Sequence, residues 1–268
     1  MVARGVNKGF TIIEVTLFLA VTGLLFTMLL AGAGVAVSRE RYNDSVSNLQ
    51  DMLKEQYSRV ANTQNDHEKA RCDAGSEGGN TIVVPTIDSG GNDYGRSQDC
   101  VVLGRLIIFN DNQAANITTY NVIAKNDKNL QDKKNIQAAL SFLAISRDLN
   151  SEEPANLTWS AVARLPQGKS FSEPDGNNAV LIVRSPLSDS IVTFIGHANL
   201  QTGDVSLISL ANVNNIRNNL SLCVDSSSRT FANMRAVYIS SFGSGPSAVA
   251  LQPLDTSDST TSVPKAEC

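Results

Sequence analysis

The sequence predicts an α+β protein in which a long N-terminal helix, with a membrane half and an amphipathic half, packs on an antiparallel β-rich head. Three patterns predict this class. An apolar run covers residues 10–37, apolar residues then recur at steps of three and four, and beyond residue 62 short apolar runs alternate with Gly, Asn, Asp and Ser. With 268 residues, 42% of them hydrophobic and 18% charged, the chain can bury a sizeable core.

Charge and motifs exclude several classes of function. The formal net charge is −4 and like charges do not cluster, so neither a basic nucleic-acid face nor an acidic tail is indicated. The chain has two histidines, His67 and His197, and contains no P-loop, G-x-S-x-G or H-E-x-x-H motif. We therefore predict no enzyme, no cofactor and no metal site. Acidic and amide side chains between residues 88 and 99 leave calcium as an alternative, but they lack the spacing of an EF-hand.

The apolar run is long enough to span a membrane. Its 28 residues would form a helix of about 42 Å, whereas the hydrocarbon core is about 30 Å thick. Two basic residues precede the run and two follow it, so they give no strong orientation. A cleaved secretory signal, with the small residues 31–33 as cleavage site, and a generic anchor are alternatives. Glu14 argues against both, because an acidic residue in a spanning helix costs roughly 2–3 kcal/mol.

The stretch KGFTIIEV, residues 8–15, suggests why an acidic residue, Glu14, occurs inside the apolar run. It resembles the class III leader of type IV prepilins and pseudopilins, with Gly9 ending the leader, Phe10 as first mature residue and Glu14 at the fifth mature position. The resemblance implies that a prepilin peptidase removes residues 1–9 and methylates the amine of Phe10. Residues 10–37 then remain as a transmembrane and assembly helix. Glu14 is expected to meet the Phe10 amine of a neighbouring subunit, since paired charges are tolerated where single ones are not.

An amphipathic continuation of the helix is predicted for residues 38–62. Val46, Leu49, Leu53, Tyr57 and Val60 recur at helical spacing, while charged residues occupy the other faces. This stripe is expected to lie on the head, and the apolar half is expected to project away, as in the long first helix of the pilin family. Apolar packing in the filament is assigned to residues in the projecting half: Ile12, Ile13, Leu17, Leu24 and Leu25.

Residues 63–268 are predicted to form the β-rich globular head. One helix, residues 135–149, is expected among the strands, with Glu152 and Pro154 as stop signals. Surface loops are expected at residues 73–80, 88–99, 110–116 and 172–178. The predicted strands are residues 81–87, 101–109, 119–124, 157–165, 179–185, 191–196, 205–210, 220–224 and 235–240.

Four cysteines lie outside the membrane segment: Cys72, Cys100, Cys223 and Cys268. Their spacing contains no C-x-x-C pair, which disfavours a zinc ribbon or a thioredoxin-like motif. Two disulfides are expected in an exported head. Bridging Cys72 to Cys100 and Cys223 to Cys268 closes the nearer loops, although four cysteines allow three pairings.

The resemblance implies a structural subunit of a type IV pilus-like filament, with the large head favouring a minor pilin or pseudopilin. Its expected partners are prepilin peptidase, other pilin subunits, the assembly platform of the cytoplasmic membrane, and membrane lipid before assembly. The subunit would wait in that membrane as a single-pass protein and end in an extracellular filament or at the cell surface. The alternative is a membrane-anchored extracellular domain for adhesion or DNA uptake. DNA binding would need scattered residues such as Arg164, Arg184 and Arg235 to gather.

Overall fold

A computed structural model places one helix, α1, over Ile12–Ala61. At 1.5 Å per residue its 50 residues measure about 75 Å. The helix passes through Gly32 and Gly34 without interruption. The structure describes residues 11–62, 70–77, 80–87, 100–109, 117–125, 133–166, 172–173, 176–198, 210–211, 213–225, 235–240 and 243–252.

The head is built from antiparallel strands and a short helix, α2, at Ile136–Phe142. The strands are β1 Ala70–Glu77, β2 Asn80–Ile87, β3 Cys100–Phe109, β4 Ile117–Lys125, β5 Ser146–Ala155, β6 Val162–Arg164, β7 Ser172–Glu173, β8 Gly176–Arg184, β9 Ile191–Ala198, β10 Leu220–Asp225, β11 Arg235–Ile239 and β12 Val249–Gln252. The larger sheet has the order β5-β4-β3-β8-β9, with β7 also paired to β8; a second sheet has the order β12-β11-β10-β6, and β1 pairs with β2. An α+β class is therefore confirmed.

The C-terminal half of α1 packs against both larger sheets. Its buried apolar side chains join those of β3 and β8 on one side and those of β10 and β11 on the other. A second core lies on the opposite face of the larger sheet and includes Leu140 of α2. Both faces of this sheet are thus covered, which explains why its central strands read as continuous apolar runs.

Strand β3 contributes apolar side chains to both cores. Ile107 and Phe109 belong to the core that contains α1, whereas Leu106 and Ile108 belong to the second core. This is the alternation that a strand imposes on neighbouring side chains. At Gly104 the register with β4 shifts, and a side chain there would overlap the carbonyl of Ile182 in β8. Glycine is needed for this close approach.

The predicted helix over residues 135–149 is wrong beyond its first half. α2 ends at Phe142, and Ala144 has a left-handed backbone with φ of 50°. Residues 146–155 then form β5, an edge strand paired with β4, and Pro154 occupies that edge. Apolar side chains at helical spacing misled the prediction, because pairing with β4 overrides local propensity.

Most of the other strand predictions that fall in the described residues are confirmed, with four differences. Residues 157–165 form a 3-10 turn at Thr158–Ser160 followed by the short β6. β1 occupies most of the loop predicted at residues 73–80, and β7 and the start of β8 occupy residues 172–173 and 176–178 of the loop predicted at 172–178. β12 was not predicted. The strand expected at 205–210 lies outside the described residues except for its last residue, and the loops expected at 88–99 and 110–116 lie wholly outside them.

Cys223 is disulfide-bonded and lies buried in β10. The pairings stay a prediction, because Cys268 and the side chains of Cys72 and Cys100 lie outside the described residues.

Candidate functional site: the N-terminal helix

The first turn of α1 is closed by a capping box between Thr11 and Glu14. The Thr11 hydroxyl accepts a hydrogen bond from the Glu14 backbone N–H at 3.3 Å. In return, Glu14 Oε2 accepts from the Thr11 backbone N–H at 2.9 Å and from the Thr11 hydroxyl at 3.0 Å. The box satisfies N–H groups that a helix otherwise leaves unpaired. Sequence reasoning missed it, although threonine three residues before glutamate ahead of an apolar run is its signature.

The pair between Glu14 and Phe10 stays a prediction, because Phe10 and Gly9 lie outside the described residues. The capping box nevertheless shows that Glu14 has a role within its own chain. Both bonds that its carboxylate accepts from Thr11 go to Oε2. Oε1 accepts neither of them, so a further donor can approach that oxygen without opening the box.

The N-terminal half of α1 exposes an apolar surface on every face. Apart from the half-buried Val35, the large apolar residues from Ile12 to Val37 leave 46–83% of their surface uncovered. They include all five predicted packing residues: Ile12, Ile13, Leu17, Leu24 and Leu25. A helix that is apolar all round belongs in a membrane or in the core of a larger assembly. Among the described residues, α1 is the helix long and apolar enough to cross a membrane.

The threonines of this half are compatible with an apolar environment. Thr16 donates its hydroxyl proton to the carbonyl of Ile13 at 3.0 Å, and Thr22 donates to that of Phe18 at 2.8 Å. Thr27 makes the same kind of bond to Leu24. Because each hydroxyl is satisfied within the helix, none requires water. Glu14 alone brings a charge into residues 12–37.

The C-terminal half of α1 is fixed in the head by its stripe and by two tyrosines. All five predicted stripe residues are buried, with at most 1% of their surface exposed. The Tyr42 hydroxyl accepts from the backbone N–H of Arg235 at 2.6 Å and donates to the carbonyl of Val224 at 3.1 Å. It therefore joins the start of α1's buried half to the end of β10 and the start of β11.

Tyr57 makes the corresponding contact near the end of α1. Its hydroxyl lies 3.0 Å from Thr193 Oγ1, which donates its single proton to the carbonyl of Gly243 at 2.8 Å. Tyr57 is therefore the donor to Thr193. Burial raises the pKa of Tyr57 to about 12. A side chain at Gly243 would overlap Ala248, so glycine lets this segment lie close to Tyr57.

A buried arginine joins α1 to the larger sheet. Arg105 of β3 donates from Nε to Gln56 Oε1 at 2.8 Å, and from Nη2 to Thr119 Oγ1 at 3.0 Å and Glu153 Oε2 at 2.7 Å. It also bonds to Asn121 Oδ1. The side chain of Arg105 is 5% exposed, so these partners compensate for a buried charge.

Glu153 also forms a salt bridge with a second arginine, Arg59 of α1. Arg59 Nη1 lies 2.7 Å from Glu153 Oε2, and Arg59 Nη2 lies 2.9 Å from Glu55 Oε1. Burial alone would raise the pKa of Glu153, but the hydrogen bonds and charges of Arg59 and Arg105 outweigh it, and that pKa is lowered. Burial lowers the pKa of Arg105, while Glu153 opposes this effect. The cluster fastens α1 to β3, β4 and β5.

Of the arginines considered for DNA contact, Arg184 lies apart from the other two, whereas Arg164 and Arg235 lie on the strands that flank β10, opposite Cys223 and Val224. Arg184 donates to the carbonyl of Ala61 at the end of α1 and pairs with Asp189 at 3.3 Å. Arg164 pairs with Asp225 at 3.5 Å, and Asp225 follows the residue that Tyr42 contacts. These two arginines are therefore near opposite ends of the buried half of α1. The described residues include no cluster suited to a metal ion, and the acidic loop considered for calcium lies outside them.

Comparison with family models, curated proteins and solved structures finds no match for this chain. What supports a function is therefore the geometry of α1 and its placement in the head.

Proposed function

We propose that this chain is a structural subunit of a type IV pilus-like filament, anchored in the membrane before assembly and packed in the filament through α1. The observation that supports this proposal is the division of α1 into a half that is apolar and exposed on all faces and a half that is buried in the head. The head stays in water while the projecting half can exchange lipid for the same half of other subunits. Both environments are apolar, so moving between them needs no refolding of the helix.

The N-terminus supports assembly rather than simple anchoring. A generic anchor gains nothing from an acid in its first turn. In a filament, the new amine of Phe10 would place a positive charge in apolar surroundings, and Glu14 of a neighbour would compensate for it through Oε1. The head, at about 200 residues, favours a minor pilin or pseudopilin within this proposal.

The first test is the mass of the mature N-terminus after expression in cells that contain a prepilin peptidase. The expected chain begins at methylated Phe10, and a Gly9→Leu variant is expected to keep residues 1–9. A chain that begins at Met1 or near Ala33 would overturn the filament proposal. The first result would favour a membrane-anchored binding domain, and the second a cleaved secretory signal.

The second test separates the charge of Glu14 from its capping role. Glu14→Gln preserves the acceptor that a capping box needs but removes the charge, whereas Glu14→Val removes both. Both variants should insert into the membrane. Both should lower incorporation into filaments by more than about tenfold, because an uncompensated buried charge costs roughly 3–5 kcal/mol. Quantitative immunoblots of sheared filaments and of membranes give the two readouts.

The Gln variant decides the role. If it assembles normally while the Val variant does not, the role of Glu14 is to cap the helix, and the charge contact with Phe10 is refuted. If both assemble normally, Glu14 has no role in assembly.

A further inference from the structure

The single tryptophan of the chain lies on an exposed turn beside the start of α1's buried half. The Trp159 side chain is 47% exposed. Its indole Nε1 donates to Asp44 Oδ2 at 2.7 Å, and the guanidinium of Arg41 lies over the ring at 4.7 Å from the ring centre. The head therefore presents its tryptophan against the segment of α1 that directly follows the exposed apolar half.

The backbone of this turn is unusual. Trp159 has φ of 58° and ψ of 35°, and the next residue, Ser160, has φ of 52°. Left-handed backbone is rare for bulky side chains and persists where the surroundings enforce it. Here the Ser45 hydroxyl shares its single proton between the carbonyls of Thr158 and Arg41, each at 2.9 Å, and Leu157 and Ala161 are buried on either side. The turn is held by α1 itself, with the tryptophan directed away from the core.

The position of the ring along α1 matches the edge of a bilayer. Arg41 and Asp44 follow Val37, the last large exposed apolar residue of the projecting half, by four and seven residues. At 1.5 Å per residue these are distances of about 6 Å and about 10.5 Å along the helix axis. The polar layer on each side of a bilayer is about 5–8 Å thick, and tryptophan is enriched there. With Val37 at the edge of the hydrocarbon core, the Trp159 ring falls at the depth where tryptophans of membrane proteins collect.

The length of the projecting half brings the ring closer still. Residues 12–37 measure about 39 Å, which exceeds a hydrocarbon core of about 30 Å. A helix that is too long for the bilayer tilts, and interfacial aromatic and basic side chains set the direction of tilt. Tilting towards the side that carries Trp159 lowers this ring into the polar layer.

We propose that Trp159 is a lipid-contact site on the head, which inserts between phospholipid headgroups and fixes the direction in which α1 tilts before assembly. This inference rests on the membrane-spanning part of the proposed function, but not on the filament. The nearby charges, Arg39 and Arg41 against Glu40 and Asp44, balance in sign. The contact therefore needs zwitterionic lipid only, and anionic lipid is not expected to strengthen it.

Because Trp159 is the only tryptophan, its fluorescence reports this contact directly. The full chain is reconstituted at low density in phosphatidylcholine vesicles that carry a quencher at the headgroup, high on the acyl chain or near the chain ends. Flotation with the vesicles verifies insertion. We expect strong quenching by the first two labels, weak quenching by the third, and emission at shorter wavelength than that of a water-exposed tryptophan.

A moved tryptophan provides the control. Trp159→Asn suits the left-handed backbone, since asparagine tolerates it, and Leu187→Trp places the only tryptophan in an exposed turn beside Arg184, which contacts Ala61. Ala61 lies 24 residues, or about 36 Å, beyond Val37. The tryptophan of this double variant should escape all three lipid labels.

The outcomes separate the two proposals. A chain that floats with the vesicles but whose Trp159 is not quenched keeps its membrane anchor and refutes the lipid-contact site. A blue-shifted emission without lipid quenching would also refute it, since protein would then cover the ring. A chain that does not float refutes both the anchor and the contact. Filament tests on Glu14 are independent of all three results.

Discussion

The two halves of α1 share one backbone geometry and differ in everything that surrounds it. From Ile12 to Val37 the apolar side chains face outwards in all directions, and the threonines bond to their own helix. From Tyr42 to Val60 a single stripe is buried, and polar side chains bond to distant strands. Hydropathy that is uniform and hydropathy that is periodic therefore specify different partners for the same helix.

The largest difference between the halves should appear on shortening a leucine. Leu53→Ala opens a cavity at a fully buried site and should lower the free energy of unfolding of the head by about 2–5 kcal/mol. Leu25→Ala, at a site that is 53% exposed, should leave it unchanged. Both are measured by chemical unfolding of the full chain in mild detergent, followed by Trp159 fluorescence. Equal effects would mean that the two halves are not independent.

The next effect concerns the buried charge that fastens α1 to the sheet. Arg105→Met removes the donor shared by Gln56, Thr119 and Glu153, and should cost about 1–3 kcal/mol because buried acceptors lose their partner. Glu153 is half exposed and can be hydrated, which limits the loss. No loss in the same unfolding assay would show that apolar packing at this position is as good as the charge cluster.

The stability of Arg105→Met should also depend on acidic pH differently from that of the wild type. The pKa of Glu153 is lowered on folding, so its contribution to stability is present above the pKa of an unfolded glutamate, about 4.3. That contribution is lost as the pH falls through the lower folded value. Unfolding measured from neutral to acidic pH should show a smaller decline in Arg105→Met than in the wild type, because one of the two causes of the lowered pKa is gone.

The stripe and the central strands could be predicted because hydrophobic periodicity is a local signal. Leu49 and Leu53 recur at helical spacing, and Ile107 and Phe109 recur at every second position of a strand. The spacing of each residue therefore predicts which face of its helix or strand it occupies. The path of residues 143–155 could not be predicted in this way. Leu143 and Ile145 fit a helix by spacing, and only the pairing of β5 with β4 determines that the chain turns at Ala144.

The candidate site was only partly predictable for a related reason. Glu14 is conspicuous because a charge interrupts an apolar run, and Thr11 completes a signature with fixed spacing. Arg105 lies in an equally apolar run and was overlooked. Its alternation with Ile107 places it on the side of α1, but its partner Gln56 is 49 residues away, and no local pattern connects them.

A smaller effect is expected at Tyr57, where a hydroxyl is removed and the ring is kept. Tyr57→Phe should cost about 1 kcal/mol near neutral pH, since Thr193 still donates to the carbonyl of Gly243. Tyr57 also predicts an alkaline limit. Its pKa rises to about 12 on folding, so its stabilising effect is complete below the unfolded value of about 10 and is lost as the pH rises towards about 12.

The difference between wild type and Tyr57→Phe isolates this alkaline loss from that of other tyrosines. Two pKa units correspond to about 2.7 kcal/mol. Unfolding free energies measured from pH about 9 to about 12 should therefore fall more steeply for the wild type, and Tyr57→Phe should become the more stable of the two at the alkaline end. Parallel curves would mean that Tyr57 ionises as readily in the folded head as in the unfolded chain.

The smallest effect is expected at the rim of the arginine cluster, where the charge is exposed rather than buried. Glu55 and Arg59 are paired four residues apart on α1, with 54% and 42% of their side chains exposed. Glu55→Gln should change the free energy of unfolding by less than about 0.5 kcal/mol, because water and salt screen exposed pairs.

About 1 M salt should abolish this difference between Glu55→Gln and the wild type, since the Debye length is then about 3 Å. The loss in Arg105→Met should persist under that salt, because unpaired buried acceptors, and not long-range charge, cause it. If both losses vanished together, the cluster would act as one solvated charge network rather than through buried hydrogen bonds.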